Sequence, residues 1–312
     1  MSNGNTSLSY TPGGADDPSN PFHYMPSLAP TIVSLIFFIL LFISLTILTI
    51  WKRSWYMITL LVGCILEIIG YGTRIPLVSN PVGQIPLYAC MNGCLIIAPV
   101  FNAAIEYVLF GRLVHALGDQ YSLIKPKLIS WIFIICDAFS FLIQISGAGL
   151  LTSSKDGAGA QTGQTILLAG LGINLGSFAI FCLQLFYFEY RIRKSPPIFA
   201  NGSIYEKRWR RFVYIIYLSS TLVLIRQIYR VIEFAQGFTG YLAVHEIFFY
   251  IFDTIPIFIS SALYVICFPG NNYLPPNQND TFATMNNNEY NSNKTNNNVI
   301  IPEKNLVLKE MF

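Results

Sequence analysis

Residues 28–50 read LAPTIVSLIFFILLFISLTILTI, a predominantly apolar run of 23 residues that holds no Asp, Glu, Lys or Arg. About 20 such residues in a helix are enough to cross the ~30 Å hydrocarbon core of a bilayer. In lipid a segment must satisfy its own backbone hydrogen bonds, and a run of this length does so as a helix. Residues 28–50 therefore predict a membrane-spanning helix.

Six further runs of the same character follow along the chain. With the first run they predict seven spans: Leu28–Ile50, Trp55–Tyr71, Leu87–Phe110, Leu128–Leu151, Ile166–Tyr190, Phe212–Ala235 and Ala243–Phe268. The composition agrees, because the 312 residues are 53% hydrophobic and only 11% charged, whereas soluble domains carry about 25% charged residues. We expect an all-α fold, a bundle of seven transmembrane helices that occupies residues 28–270.

The two ends of the chain differ in composition from this membrane domain. Residues 1–27 are polar and show no signal-peptide pattern, while residues 271–312 are rich in Asn and poor in apolar side chains. We interpret residues 1–27 as an exoplasmic tail in which Asn5 begins a glycosylation sequon, Asn5-Thr6-Ser7. Residues 271–312 are predicted to form a disordered cytosolic tail.

Lysine and arginine are distributed unevenly between the two sets of loops. If the N-terminus lies outside the cytosol, the exoplasmic loops hold only Arg74 and Lys155, and the cytosolic loops hold twelve basic residues. The twelve are Lys52, Arg53, Arg112, Lys125, Lys127, Arg191, Arg193, Lys194, Lys207, Arg208, Arg210 and Arg211. Because Lys and Arg accumulate in short cytosolic loops, we predict an exoplasmic N-terminus and a cytosolic C-terminus.

Several kinds of site have no support in the sequence. The six cysteines form no CxxC pair, and only three histidines exist, so we expect no metal centre and no cofactor. No phosphate-binding loop of the GxxxxGK[ST] type occurs. The sequence shows no set of residues typical of a catalytic site, so we expect a protein that is not an enzyme. As partners of this membrane protein we expect membrane lipids and no nucleic acid.

The informative residues are the ionisable ones inside the predicted spans. They are Glu67, Glu106, Asp137, Arg226, Arg230, Glu233, Glu246 and Asp253, with His245 near the start of the last span. A charged side chain at the bilayer centre costs roughly 2.5–3.5 kcal/mol on insertion scales. Eight of them facing lipid would cost more than the stability of a typical domain, so we expect them to face one another or water inside the bundle.

The spacing of the polar residues places them on one stripe of each helix. The stripes are Glu67, Gly70, Tyr71 and Arg74 in helix 2; Asp137, Ser140 and Gln144 in helix 4; Arg226, Arg230 and Glu233 in helix 6; and Glu246 and Asp253 in helix 7. We therefore predict one interior network of carboxylates around two arginines, shared by these four helices. Two local features add to this picture: Pro99 leaves a carbonyl of helix 3 unbonded, and Gly172 with Gly176 predicts a close helix contact.

Two interpretations of this network remain open. It is either a set of salt bridges that fixes helix packing, or a cavity that holds a polar headgroup or relays protons. Six acids face two central arginines, or three with Arg74. This surplus favours a cationic ligand such as an amine, and it also suits a proton-coupled carrier.

Several segments together are similar to one known group of proteins. They are residues 66–74 (LEIIGYGTR), Ala98-Pro99, residues 137–140 (DAFS) with Gln144, residues 226–234 (RQIYRVIEF), residues 240–246 (GYLAVHE), Asp253 and residues 268–270 (FPG). In this order they resemble the fungal lipid-translocating exporter family, the aminocholesterol-resistance-like proteins. The resemblance covers about residues 22–270, nearly the whole predicted membrane domain.

The resemblance implies a seven-helix plasma-membrane protein that moves, or helps to move, lipid-like molecules and confers resistance to them. The short first cytosolic loop and Cys136-Asp137 look most like the branch that translocates sphingoid long-chain bases, which are cationic amines on a long alkyl tail. The chain departs from the family pattern at Gly147-Ala148-Gly149, at Glu106, at Phe268 and in lacking an acid near Thr239. These departures leave the exact substrate open.

Three functions are compared. The leading hypothesis is a translocase or exporter of such amines, in which Glu67, Asp137, Glu233, Glu246 and Asp253 bind the headgroup or protons and Arg226 and Arg230 hold the network together. Tyr71, Gln144 and His245 complete the predicted site. The second hypothesis is a seven-helix receptor or sensor that alters lipid handling indirectly, and the third is an intramembrane enzyme.

Overall fold

The computed structural model describes residues 20, 22, 24–80, 83–117, 122, 126–153, 157–194, 204–237 and 240–269. All of the predicted tail 271–312, with its Asn-rich segment, and most of the predicted tail 1–27, with the Asn5 sequon, therefore lie outside the described residues. Thr239 also lies outside them, as do Lys125 and Lys155 of the predicted loops.

The described part of the chain is helical and contains no strand. Its elements are α1 (Leu28–Lys52), a short 3-10 turn (Trp55–Met57), α2 (Ile58–Ser79), α3 (Ile85–Leu117), α4 (Pro126–Ser153), α5 (Gly157–Lys194), α6 (Ile204–Gln236), α7 (Tyr241–Val244), α8 (Glu246–Phe249), a π-helical turn (Tyr250–Thr254) and α9 (Ile255–Ile266). Seven stretches among them are long and apolar enough to cross a membrane. The predicted number of spans is confirmed, and the chain is a multi-pass membrane protein.

Consecutive helices from α1 to α6 pack as neighbours, and the last span packs against both α6 and α1. The apolar stretches of α3 and α6 are 61% and 56% buried, whereas those of α1 and α4 are 28% and 22% buried. Helices α3 and α6 therefore lie near the middle of the bundle, and α1 and α4 lie at its edge.

Polar and apolar side chains are distributed as expected for a bundle in lipid. Large apolar side chains such as Leu40, Phe139 and Leu142 are exposed on the outer faces of α1 and α4. The ionisable residues Glu67, Glu106, Asp137, Arg226, Arg230 and Asp253 are at most 3% exposed. The structure therefore buries these groups inside the bundle, where they do not meet lipid.

The predicted spans differ from the helices where polar residues continue a helix or a proline interrupts one. Helix α2 runs past Tyr71 to Ser79, and α5 begins at Gly157 instead of Ile166. The last span is broken at His245 and again by the π-helical turn, in which the Ile255 N–H donates to the Tyr250 carbonyl. Pro256 has no N–H to offer the carbonyl four residues earlier, which favours this change of hydrogen-bond register.

The closest helix contact lies between α4 and α5. A Cβ added at Gly147, Gly163 or Gly170 would lie 2.5–2.7 Å from atoms of the facing helix. The predicted contact at Gly172 and Gly176 is wrong, because a Cβ added at either position would meet no atom within 4 Å. The four-residue glycine spacing at Gly172 and Gly176 therefore does not identify the contact, because the position of the neighbouring helix decides which glycines are used.

Candidate functional site

Two arginines of α6 and one aspartate of the π-helical turn form the centre of the site. Arg230 binds Asp253 with two parallel hydrogen bonds, Nε to Oδ1 at 2.7 Å and Nη2 to Oδ2 at 2.8 Å. Arg226 Nε lies 2.9 Å from Asp253 Oδ1, but its N–H is not aligned to donate, so this contact is an ion pair without a hydrogen bond. Asp253 is therefore shared by both arginines, and its bond to Arg230 is the stronger one.

Local structure explains why these groups meet. Arg226, Arg230 and Glu233 lie on one face of α6, as their spacing predicts. Pro99 cannot donate to the Leu95 carbonyl within α3, and Arg226 Nη2 donates to that carbonyl instead. Arg230 also donates to Glu233 Oε2 at 3.0 Å through Nη1. In this cluster a backbone acceptor released by a proline satisfies part of a buried guanidinium.

Glu67 of α2 is a third carboxylate beside the two arginines. It is 3% exposed and lies within electrostatic range of Arg226, Asp253 and Arg230. Among the described residues, however, none forms a hydrogen bond or an ion pair with its carboxylate. The cluster thus holds three carboxyl groups and two guanidinium groups, and Glu67 is the carboxyl in excess. We call the five residues Glu67, Arg226, Arg230, Glu233 and Asp253 the central cluster.

A second cluster closes the end of the bundle at which α1 begins. Arg74 Nη2 lies 2.8 Å from Glu246 Oε1 and donates to Tyr24 Oη at 2.8 Å. Glu246 also accepts the Ser27 N–H at 2.9 Å, so it connects the last span to the segment that precedes α1. The Arg74 guanidinium lies 4.8 Å from the centre of the Phe249 ring. Burial raises the pKa of the Tyr24 phenol, so the neutral hydroxyl is the form that accepts from Arg74.

The segment from Asn20 to Ser27 covers this end of the bundle. Asn20 Oδ1 accepts the Phe22 N–H at 3.0 Å, and Asn20 Nδ2 donates to the Tyr24 carbonyl at 3.1 Å. Phe22 is 4% exposed and packs edge-on against Tyr88 of α3 at 5.0 Å. Two aromatic side chains of the segment are thereby held inside the bundle.

Beneath this segment lies a cavity that reaches the central cluster, here called the end cavity. About 50 Å³ of it is open to the centre of a water molecule, which is room for a few waters. It is lined by Phe22, Tyr24, Arg74, Tyr88, Met91, Asn92, Arg230, Glu233, Phe234, Gly237, Ala243 and Phe249. Arg230 and Glu233 belong to both the end cavity and the central cluster.

A smaller cavity lies on the other side of the arginines, among α3, α4, α5 and α6. About 20 Å³ of it is open to a water centre, and Arg226, Arg230 and Gln144 are part of its lining. Three lining amides are buried, yet Gln144 Nε2, Asn174 Oδ1 and Gln227 Oε1 have no hydrogen-bond partner in the described protein. Unpaired buried amides require water or a ligand group. We call this space the amide cavity after these three side chains.

An apolar groove lies between α1 and the last span. About 240 Å³ of it is open to a water centre, and its lining is Pro30, Val33, Ser34, Phe37, Phe38, Tyr250, Thr254, Ile255 and Phe258. At its base the Thr254 hydroxyl lies 2.6 Å from the Tyr71 hydroxyl of α2. Tyr71 lies within electrostatic range of both Glu67 and Asp253, so this pair of hydroxyls links the lining of the groove to the surroundings of the central cluster.

The structure brings some predicted site residues together and separates others. Glu67, Arg226, Arg230, Glu233 and Asp253 meet in the central cluster, and Gln144 lines the amide cavity. Glu246 belongs to the separate end cluster with Arg74. The single predicted network is thus divided into distinct groups.

Two predicted site residues lie away from the arginines. Asp137 of α4 accepts from the Tyr107 hydroxyl of α3 at 2.8 Å. His245 is exposed, and its Nδ1 lies 2.8 Å from the Tyr241 carbonyl at the break before α8. Neither residue lines the end cavity or the amide cavity.

Sequence reasoning missed Tyr88, Asn92, Asn174 and Gln227, which line the two cavities. Asn174 and Gln227 could have been found as amides inside apolar runs, because an amide in lipid is costly as well. Tyr88 gave no such signal, since a tyrosine near the end of a span is usually an interfacial anchor. Within the described residues, no group of three His, Cys, Asp or Glu side chains could hold a metal ion.

Comparison with known proteins now assigns the family. Residues 60–275 match the family described as "RTA1 like protein". The chain belongs to the RTA1-like family. This result confirms the family to which the motifs pointed. No solved structure matches the chain.

Three relatives from Saccharomyces cerevisiae illustrate the range of the RTA1-like family. Protein RTM1 is 33% identical over 210 residues, 67% of this chain and 66% of the relative. Protoporphyrin uptake protein 1 is 35% identical over 198 residues, 63% of each chain. Sphingoid long-chain base transporter RSB1 is 30% identical over 250 residues, 70% of this chain and 65% of the relative. The chain thus spans less than two thirds of the length of each of these relatives, and the three identities are too similar to favour one of them.

Proposed function

We propose that this chain is a lipid translocase or exporter of the plasma membrane that moves sphingoid long-chain bases or similar amphipathic amines. The observation that carries the proposal is the charge balance of the central cluster. With all five of its groups ionised, one negative charge has no counter-charge among the described residues, and one ammonium group neutralises it. The relative named as a sphingoid long-chain base transporter supports a substrate with that chemistry.

The proposed orientation places the N-terminus and the end cluster on the exoplasmic side and the C-terminus in the cytosol. Lys52, Arg112 and Lys194 occur at or near the ends of α1, α3 and α5, which are the ends opposite the cluster of Arg74 and Glu246. Basic residues in short loops favour the cytosolic side. In this arrangement residues 1–27 form the exoplasmic tail with a glycosylated Asn5, and residues 271–312 form the cytosolic tail.

The end cavity is the proposed headgroup site on the exoplasmic side. Glu233 supplies a carboxylate for the ammonium group, while the Tyr88 hydroxyl and the Asn92 amide can bind the hydroxyl groups of a sphingoid base. Tyr24 and Phe22 cover the cavity from above. A cation bound here lies next to Glu233, the carboxylate that is paired with Arg230 at 3.0 Å.

Exchange of ion-pair partners is the proposed step that opens the way between the two cavities. Arg230 and Asp253 stand between the end cavity and the amide cavity, because Arg230 lines both spaces. When an ammonium takes the place of Arg230 on Glu233 or Asp253, Glu67 is available as a second carboxylate for Arg226. A spare carboxylate lowers the cost of breaking a buried ion pair, which otherwise leaves an unpaired charge in a low dielectric.

The alkyl tail is proposed to remain in the groove between α1 and the last span. Every lining residue except Ser34, Tyr250 and Thr254 is wholly apolar, and the groove opens on the outer surface of the bundle. The hydroxyl pair of Tyr71 and Thr254 is the boundary that the headgroup passes while its tail stays in lipid. This division matches an amphipath, which has one charged end and one apolar end.

Transport by purified protein in liposomes tests the proposal. We expect the wild-type chain to move a fluorescent long-chain base across the bilayer, and Glu67→Gln, Glu233→Gln and Asp253→Asn to reduce the rate by about tenfold or more, since one lost charge-assisted contact is worth 1.5–3 kcal/mol. Glu189→Gln is the matched control: it removes a carboxylate near the opposite end, where Glu189 pairs with the exposed Arg193, and the rate should not change.

Two outcomes would contradict the proposal. Normal transport by folded Glu67→Gln and Asp253→Asn proteins would exclude the central cluster as the headgroup site. Absence of any transport by the wild-type protein, with and without a proton gradient, would favour the receptor or sensor hypothesis, because a receptor binds the amphipath without moving it.

A further inference from the structure

A fourth buried carboxyl group, Glu106 of α3, lies apart from the arginines. It is fully buried and accepts hydrogen bonds from the hydroxyls of Ser219 and Ser220 on α6, the second at 2.6 Å. Ser219 Oγ lies 2.7 Å from Ser260 Oγ on α9. Tyr264 of α9 is also fully buried, and its hydroxyl faces the same carboxyl group. Oxygen atoms from α6 and α9 therefore surround the carboxyl group of α3.

In the part of the chain that the structure describes, no cationic side chain balances this carboxyl group. Among the described residues, no Lys, Arg or His forms an ion pair with Glu106. The titratable groups that face it are Tyr107 on its own helix, Cys182 on α5 and Tyr264 on α9, all of which are uncharged in their ordinary forms. Burying an unpaired carboxylate costs on the order of several kcal/mol, so the site requires a cation or a proton.

The spacing of the oxygen atoms favours a proton over a metal ion. Separations of 2.6 and 2.7 Å are those of O–H···O hydrogen bonds. Two oxygens that share a cation of calcium size at about 2.4 Å lie about 3.4 Å apart when they subtend a right angle. The serine hydroxyls are too close to the carboxyl oxygens and to one another for a shared ion.

The hydroxyl chain satisfies Glu106 with or without a proton. In the ionised form, Ser220 and Ser219 donate to the two carboxylate oxygens, and Ser260 donates to Ser219. In the protonated form, the proton lies on Oε1 and is donated to Ser219, whose own hydroxyl turns to donate to Ser260. Only hydroxyl hydrogens rotate between the two forms, and no heavy atom needs to move.

We propose that Glu106 is a site that takes up and releases a proton in the interior of the membrane domain, and that the hydroxyls of Ser219, Ser220 and Ser260 satisfy it in both protonation states. The proton is taken from water on binding and returned to water on release, so no other co-reactant is required. This site is separate from the central cluster and does not depend on the proposed transport function. It would give the protein a proton site whichever amphipath it handles.

Infrared spectroscopy of the purified full-length protein tests this proposal directly. A protonated carboxyl gives a C=O stretching band that a carboxylate lacks, and the band shifts in deuterated water. We expect the wild-type protein to show such a band whose intensity falls as the pH is raised, and Glu106→Gln to lack that component. Glutamine can donate to Ser219 and accept from Ser220, so this variant should retain the fold.

Two serine variants shift the balance in opposite directions at one fixed pH. Ser220→Ala removes a hydrogen bond that is stronger to the carboxylate than to the neutral acid, so the band should strengthen. Ser260→Ala removes the acceptor that Ser219 needs only in the protonated form, so the band should weaken. We expect the ratio of protonated to ionised Glu106 to change by about threefold to tenfold in each case. Asp137→Asn is the matched control, because it removes another buried carboxyl and should leave the Glu106 component in place.

Three results would overturn the proton site. The first is a wild-type spectrum without a component that Glu106→Gln removes. The second is a Glu106 component that does not change with pH. The third is a component that disappears at constant pH when sodium or potassium chloride is added, since that result would assign the site to a metal cation.

Discussion

Asp253 and Glu67 lie in the same cluster but are held differently. Asp253 accepts two hydrogen bonds from Arg230 and pairs with Arg226, whereas Glu67 has no hydrogen-bond or ion-pair partner among the described residues. Removing one member of a buried ion pair leaves an uncompensated charge and typically costs about 3–5 kcal/mol. Removing a carboxylate in excess leaves the remaining charges balanced.

We therefore predict that Asp253→Ala lowers the thermal unfolding temperature of the detergent-solubilised protein strongly, and that Glu67→Gln leaves it nearly unchanged. The measurement is the melting temperature of both variants beside the wild type. The comparison also separates fold from function, because Glu67→Gln should lose transport while it keeps its stability. A large loss of stability in Glu67→Gln would show that Glu67 is a structural partner of the arginines.

At this scale the sequence predicts which residues are buried but not which of them meet. Arg226, Arg230 and Glu233 share a face of one helix, and that relation follows from spacing alone. Whether Asp137 or Asp253 reaches the arginines depends on how α4 and the last span are rotated, which no spacing within a helix reveals. Ser219, Ser220 and Ser260 carried no signal at all, since a serine is tolerated at both lipid-facing and buried positions.

At the scale of the elements, the packing of α4 on α5 depends on glycines at which any larger residue would clash with the facing backbone. A Cβ at Gly147 would lie 2.5 Å from the Leu167 backbone nitrogen, and a Cβ at Gly163 would lie 2.6 Å from the Leu151 backbone nitrogen. These neighbours are backbone atoms of a helix, so they cannot move aside as a flexible side chain would. The two helices can only separate.

We predict that Gly147→Ala and Gly163→Ala each destabilise the bundle by about 1–3 kcal/mol, the usual cost of overpacking. Gly172→Ala is the matched control on α5, because its added methyl group meets no atom within 4 Å and alanine favours the helix. Thermal unfolding of the three variants measures the difference. Equal melting temperatures would mean that α4 and α5 are farther apart than described.

The bounds of the elements show where a sequence-based reading fails and why. Hydropathy located all seven spans, because lipid requires a long apolar helix. It ended the second span at Tyr71, since Arg74 looked like an interfacial residue, but α2 continues to Ser79 and buries Arg74 against Glu246. It also did not predict the π-helical turn that presents Asp253, because a change of hydrogen-bond register leaves no mark on hydropathy.

For the whole molecule, access to the central cluster depends on the covered end of the bundle. The cover is the segment from Asn20 to Ser27, which is held by the Ser27 N–H bond to Glu246 and by the Arg74 bond to Tyr24 Oη, and Arg74 is itself paired with Glu246. Both bonds involve a charged group and belong to the stronger class of hydrogen bonds. Replacing Glu246 by Gln keeps the shape and removes the charge, so it weakens the cover without creating a cavity.

An engineered cysteine at Asn92 reports both the orientation of the molecule and the opening of this cover. Asn92 lines the end cavity beneath Tyr24 and Phe22. In intact cells, a membrane-impermeant maleimide should label Asn92→Cys slowly, and the additional Glu246→Gln change should accelerate labelling about tenfold, as expected when about 1.4 kcal/mol is lost from a closed state. The same reagent applied to the parent protein gives the background from the six native cysteines.

The two parts of this result have separate meanings. Labelling from outside intact cells requires the end cavity to face the exterior, so labelling only after permeabilisation would reverse the proposed orientation. Acceleration by Glu246→Gln requires the cover to be held by that carboxylate, so equal rates would show that another contact closes the cavity. If both expectations are met, an amine passes between the exoplasmic side and the pair of Glu233 and Arg230 only after the Glu246 contacts at this end have opened. Entry to or exit from the end cavity is then coupled to the movement of the N-terminal segment.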